Sequence, residues 1–195
     1  MEIICHRVNT LSNLIQIPKE FGVEIDIRSY KDKLILHHDP FVEGEEFDLW
    51  LKNFHHGTLI LNIKEEGLED RILFYLEKFG IKKYFFLDQS FPFLIRNVRK
   101  GIPNSALRIS NYESMENVIN LSGKVNWVWV DIFNSFPISY SEYNIIKKLN
   151  YKLCYVSPEL QGFNKSEILE LKKFIYQNNI IPDAVCTKFP KIWHE

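Results

Sequence analysis

The chain has 195 residues, with 24 Lys+Arg against 25 Asp+Glu and a formal net charge of −1 at pH 7. That length supports one well-buried core and is short for two domains, so residues 1–195 are expected to form a single domain. Near-neutrality removes the global field that would draw the chain to nucleic acid or an anionic membrane surface, so any phosphate recognition has to be local. The apolar stretch after Met1-Glu2 ends at His6, too soon for an export signal, and a cytoplasmic location is expected. The longest apolar run, residues 127–136, is broken by Asp131 and Asn134 and falls well below the roughly 20 residues of a bilayer span. Cys5, Cys154 and Cys186 lie far apart with no CxxC, which suits buried thiols in a reducing compartment.

In chain order, β-branched and aromatic runs predict strands at 3–7, 23–28, 58–64, 84–90, 106–110, 127–133, 152–156 and 184–187. Between them, apolar spacings of three or four predict helices at 68–79, 143–149 and 168–176, with a short amphipathic helix near 47–54. Ser141 is placed to cap a helix beginning at Glu142, Asn164 stands before the helix of 165–177, and Asn178-Asn179 closes it. Eight strand-then-helix units predict an α/β fold, a compact (β/α)8 barrel. An open doubly wound sheet shares the alternation, but the turn after the first strand, Arg7-Val8-Asn9-Thr10, has none of the glycines of a dinucleotide-binding turn. At about 24 residues per unit the loops must be tight, and residues 40–57 leave no room for a lid domain.

Three polar clusters close strand-like runs: His6-Arg7, then Glu24-Ile25-Asp26, then His37-His38-Asp39-Pro40. Residues i and i+2 of a strand project to one face about 6.5–7 Å apart, so Glu24 and Asp26 can share the barrel mouth while Val23, Ile25 and Ile27 face the helices. An isolated acidic pair is more often a solvated strand end. Within VEIDI, however, the apolar neighbours make burial of two like charges costly unless a cation compensates, and Mg²⁺ or Ca²⁺ prefers such oxygen ligands. A lone histidine is usually structural, whereas two flanking a carboxylate pair can divide general acid and general base between them. His6 is one, and His37 and His38 compete for the second role. Arg7 and Lys64 offer cations to phosphate oxygens, or equally to nearby acids. His55, His56 and His194 are read as surface residues, and the Phe85-Phe86 and Trp127/Trp129 pairs as packing.

The order of His6-Arg7 with Asn9-Thr10, then GVEIDIRSYKD from Gly22, then LILHHDP from Leu34, resembles the glycerophosphodiester phosphodiesterase family. Weaker similarity continues at Leu61-Asn62-Ile63-Lys64, at Gln89-Ser90-Phe91-Pro92 and at Asp183 to Pro190. The resemblance implies a TIM barrel acting on a glycerol or polyol phosphodiester, with His6 and His38 as the acid/base pair. It further implies that Glu24 and Asp26 hold one divalent cation and that Arg7 and Lys64 hold the phosphate. It selects His38 over His37, because the family's histidine directly precedes Asp-Pro. The family's third metal ligand, a glutamate, falls at Asn62, whose amide supplies an oxygen without a charge. Val8 stands where the family has glycine, Lys188 stands where it has an acid, and Asp88 is a candidate to restore the missing carboxylate.

These residues lead to metal-assisted cleavage of a small-molecule phosphodiester, with release of an alcohol. Two rivals come from other classes. One is a phosphate-binding pseudoenzyme or scaffold barrel, for which Asn62 and Val8 speak. The other is an aldolase- or isomerase-type barrel with Lys64 as an amine nucleophile.

Overall fold

The computed structural model describes residues 1–194. Its strands are β1 (Glu2–Cys5), β2 (Gly22–Tyr30), β3 (Lys33–Leu36), β4 (Glu45–Glu46), β5 (Leu59–Ile63), β6 (Tyr84–Leu87), β7 (Ala106–Ile109), β8 (Trp127–Val130), β9 (Lys152–Val156) and β10 (Ala184–Thr187). The helices are α1 (Leu11–Leu14), α2 (Phe47–Leu51), α3 (Glu69–Lys78), α4 (Phe91–Arg99), α5 (Glu116–Asn120), α6 (Tyr140–Lys148), α7 (Ser166–Gln177) and α8 (Pro190–His194), with a 3₁₀ turn at Pro158–Gln161. Each of the eight predicted strands is present, several shorter than expected.

Eight strands run parallel in one curled α/β sheet, β1 beside β2, then β5, β6, β7, β8, β9 and β10, and β10 returns to β1. The β10–β1 ladder runs from Glu2↔Ala184 to Cys5↔Thr187. The β6–β7 seam is thinner than the closed barrel predicted, consisting of the single bridge Phe86↔Ser105 and the bond from Phe86 N–H to the Asn104 carbonyl (2.9 Å). Alternation sorts the side chains. Trp127, Trp129, Ile4, Ile60 and Cys186 pack on the concave face, while Val128, Val130, Val23, Ile25 and Ile27 pack outward beneath the helices. All three cysteines are free and buried. No helix among the described residues is long and apolar enough to cross a membrane.

Three features depart from expectation. β2 continues past Arg28 to Tyr30 and folds back through Lys31, at φ 55°, into β3, giving an antiparallel hairpin with Ile27 opposite Leu36. This hairpin delivers His37 and His38. The capping residue of α6 is Ser139 rather than Ser141: its extended backbone and the Glu142 side chain complete a reciprocal capping box. α7 begins after Lys165 without any side-chain cap from Asn164. At its other end Asn178 donates to the Phe174 carbonyl (2.8 Å), as expected of a closing residue.

Candidate active site

The concave face turns polar at the C-terminal ends of β1, β2 and β5. Ile4 and Ile60 lie on this face, and the alternation carries His6, Glu24, Asp26 and Asn62 to it, with Asp26 opposite Asn62 in register. Immediately after β1, Arg7 adopts φ 55°, uncommon for a residue with a side chain. That turn aims the Arg7 N–H at Glu24 Oε2 (2.7 Å). Two residues on, Asn9 grips Asp26 twice: its amide donates to Oδ2 (2.9 Å), and its oxygen accepts the Asp26 N–H (2.8 Å).

Glu24 and Asp26 are fully buried. Glu24 Oε1 accepts from the Asn62 amide at 2.9 Å, and His6 Nε2 lies 3.8 Å from Oε2. Around Asp26 stand the Lys64 ammonium, 3.4 Å from Oδ1, and Arg7 Nε, 3.6 Å from Oδ2. Burial, reinforced by the Asp26 charge, pushes the Glu24 carboxyl up to about 7, against the pull of its Asn62 and Arg7 donors. Burial also holds the His6 imidazole down at about 3, and the Arg7 charge adds to this. His6 is therefore neutral at physiological pH.

These two shifts make opposite contributions to stability. Between pH 4.5 and about 7 the native chain holds a proton on Glu24 that the unfolded chain has released, so stability falls as pH rises through that window. Between pH 6.5 and about 3 the unfolded chain protonates His6 while the native chain does not, so stability falls as pH drops. In metal-free melting curves, Glu24→Gln is expected to gain on the unmodified protein as pH rises from 4.5 to 7, and His6→Gln to gain on it as pH falls below 6.5. Parallel curves for all three proteins would rule out both shifts.

The histidine hairpin is tied to the same rim. Arg28, missed from sequence as an ordinary strand-end charge, donates from Nε to the His38 carbonyl (3.0 Å) and from its terminal nitrogen to the Lys64 carbonyl (3.0 Å). The His37 N–H donates to the Asp26 carbonyl (3.1 Å). The His37 ring is spent locally, its Nδ1 accepting the Asp39 N–H (3.0 Å). His38 pairs through Nδ1 with Asp39 Oδ1 (2.8 Å), which leaves Nε2 available, and its side chain is 41% exposed. The structure thus brings His6, Arg7, Glu24, Asp26, Asn62 and Lys64 together, and holds the His38 main chain, but not its ring, against them. Of the remaining histidines, His55 and His194 are exposed as expected. His56 is half-buried and bonded to the Ile17 carbonyl (3.1 Å).

A chain of alternating charges continues along the rim. Lys64 also faces Asp88 at 3.7 Å, Asp88 pairs with Arg108, and Arg108 reaches Asp131 at 3.3 Å, which in turn accepts from Gln161 (2.6 Å). Asp88 is thereby committed to cations and does not fill the place of the missing carboxylate. No group of three His, Cys, Asp or Glu side chains placed to hold a metal ion occurs among the described residues. The donor set of Glu24, Asp26 and Asn62 nonetheless fits a hard cation, since Asp26 Oδ1 and Asn62 Oδ1 are buried oxygens without a hydrogen-bond donor.

No protein-family model matches the chain, and no curated protein matches it. Solved structures do share its fold. The glycerophosphodiester phosphodiesterase of Agrobacterium tumefaciens str. C58 superposes with a TM-score of 0.70 at 11% identity, over 98% of each chain. The glycerophosphoryl diester phosphodiesterase of Parabacteroides distasonis ATCC 8503 gives 0.70 at 12% identity, over 97% of this chain and 83% of its own. A Galdieria sulphuraria protein provisionally named for the same activity gives 0.74 at 14% identity, over 97% and 94%. At such identities the likeness is one of fold, a single-domain α/β architecture with eight parallel strands.

Proposed function

We propose that this chain is a metal-assisted phosphodiesterase that cleaves a glycerol or polyol phosphodiester and releases an alcohol, its eight parallel strands serving as a (β/α)8 barrel. The observation that carries this reading is the fully buried Glu24/Asp26 pair, with His6, Arg7 and Lys64 around it at the strand ends where such folds place their chemistry. Glu24, Asp26 and Asn62 would hold one Mg²⁺ or Ca²⁺, which when bound neutralises phosphate charge and acidifies a nucleophilic hydroxyl or water. Arg7 and Lys64 bind the non-bridging phosphate oxygens. His6, neutral and with a buried Nδ1 that has no partner, accepts the nucleophile's proton. His38, oriented by Asp39 through Nδ1, presents Nε2 to the departing alcoholate.

The Lys64 ammonium stands between the Asp26 and Asp88 carboxylates, which suits a charge partner better than an amine nucleophile. The pseudoenzyme reading draws on a different observation: Lys64 and Arg7 already compensate Asp26, and Asn62 turns its amide donor toward Glu24. Turnover of a panel of glycerophosphodiesters, followed with Mg²⁺ or Ca²⁺ and then with excess chelator, separates the two. Alcohol release abolished by chelator is expected. If release is unaffected by chelator, the metal role is wrong; if no diester is cleaved and calorimetry detects no bound cation, the pseudoenzyme reading takes over. The small net charge favours a small-molecule substrate over nucleic acid, and we read the protein as cytoplasmic.

A further inference from the structure

Beside His6, on the side away from Glu24, a pocket of about 250 Å³ opens between the turn after β1 and the turn after β10. Its polar lining comes from His6, Arg7, Asn13, Gln16, Thr187 and Lys188, and no carboxylate takes part. The cationic character is built in. Buried Glu159 accepts from the Thr187 hydroxyl (2.7 Å) and from the Lys188 N–H (2.9 Å), which fixes the backbone that carries Lys188 at the pocket wall. The Lys188 side chain is exposed and makes no ion pair among the described residues, so its charge is free to face the pocket. Arg7 already faces Asp26 at 3.6 Å, so Lys188 is the cation of this acid-free lining that has no ion-pair partner among the described residues.

We infer that this pocket is a subsite for a second anionic group, a carboxylate or phosphate on the substrate arm that lies beside His6, recognised by Lys188. Asn13 and Gln16 supply amide donors at the outer edge for the same group or for hydroxyls next to it. The substrate class narrows accordingly from any polyol phosphodiester to one whose retained arm, the one that does not depart at His38, is itself charged. This deepens the phosphodiesterase reading and rests on it for the position of the reacting phosphate.

Binding separates the two ideas. Calorimetry is done on the full chain with His38→Ala, so that turnover does not consume the ligand, in the presence of Mg²⁺. The ligands are glycerophosphoglycerol, its terminal phosphate ester and glycerophosphoglycolate. At least one of the two ligands with a second anionic group is expected to bind about tenfold or more tightly than glycerophosphoglycerol, as a charge-assisted contact implies. Which one does so distinguishes phosphate from carboxylate. Lys188→Glu is expected to abolish the preference and Lys188→Arg to keep it, and Lys188→Ala serves in place of the glutamate variant if melting shows that variant unfolded. Equal affinities for all three ligands, or a preference that survives loss of the Lys188 cation, overturns the subsite while leaving hydrolysis untouched. A preference dependent on Lys188 in a protein that never cleaves a diester keeps the subsite and removes the hydrolase. No binding of any ligand removes both.

Discussion

Replacing His6 or His38 by alanine is expected to lower turnover of a glycerophosphodiester by roughly 10²–10⁴-fold in each case, the usual contribution of a positioned acid or base. The physical case differs between the two. His6 is held in a mostly buried setting where the neutral form is favoured and Nδ1 has no partner, so its removal deletes a proton acceptor without breaking any hydrogen bond of the fold. His38 is half-exposed, and only its main chain is bonded to the rest of the rim, through Arg28. Its alanine variant therefore keeps the hairpin and loses the imidazole. Both variants are expected to melt within a few degrees of the unmodified protein. His37→Ala removes only the acceptor of one local N–H and is expected to cost far less in turnover. If His37→Ala is inactive and His38→Ala active, the hairpin has been assigned one residue out of register. If all three retain turnover, proton transfer runs through other groups.

What could be read from the sequence, and what could not, follows the range of each interaction. The carboxylate pair was legible because strand period fixes which residues share a face, and Val23, Ile25 and Ile27 do pack outward while Glu24 and Asp26 do not. His6 followed from the same alternation on β1. Asn9 and Arg28 were not legible as site residues, since each acts on a partner set by tertiary placement, Asp26 across 17 positions and Lys64 across 36. The sequence of Lys64, Asp88, Arg108 and Asp131 along the rim depends on the order and register of four neighbouring strands, which no local pattern encodes. For that reason Asp88 could look like a spare metal ligand until Arg108 was seen to claim it. The β2–β3 hairpin escaped for a different reason. A four-residue strand such as Lys33–Leu36, with only three apolar residues in a row, carries too little periodicity to announce itself, and the turn at Lys31 adopts positive φ without glycine. Ser139 and Ser141 are both reasonable caps by composition, and only the spacing to Glu142 distinguishes them.

Asn62→Glu tests the point at which the site departs most from the pattern that its opening motifs resemble, and it is expected to move stability and metal affinity in opposite directions. In the metal-free protein the change removes the donor that satisfies Glu24 Oε1 at 2.9 Å and sets a third carboxyl against two fully buried ones. An uncompensated buried charge costs roughly 3–5 kcal/mol, which in a chain of this size lowers the melting temperature by roughly 6–20 °C. The Glu24 carboxyl, already raised to about 7 by burial and Asp26, would be driven higher still, so part of the loss is expected to be recovered at low pH. A divalent cation reverses the balance. Each added unit of negative charge at about 4 Å is worth roughly 4 kcal/mol per unit of cation charge at an effective dielectric near 20, before desolvation offsets some of it. Calorimetry is therefore expected to show Mg²⁺ or Ca²⁺ binding at least tenfold tighter in the variant, with saturating cation restoring the lost melting temperature. If the same cation concentration closes the gap in melting temperature between the variant and the unmodified protein, the variant must bind the cation more tightly, because ligand stabilisation and affinity are linked. Should the variant lose stability and gain no affinity for either cation, Asn62 lies outside any coordination sphere. The paired carboxylates would then be compensated by Lys64 and Arg7 alone, which is the arrangement that a phosphate-binding barrel without turnover would keep.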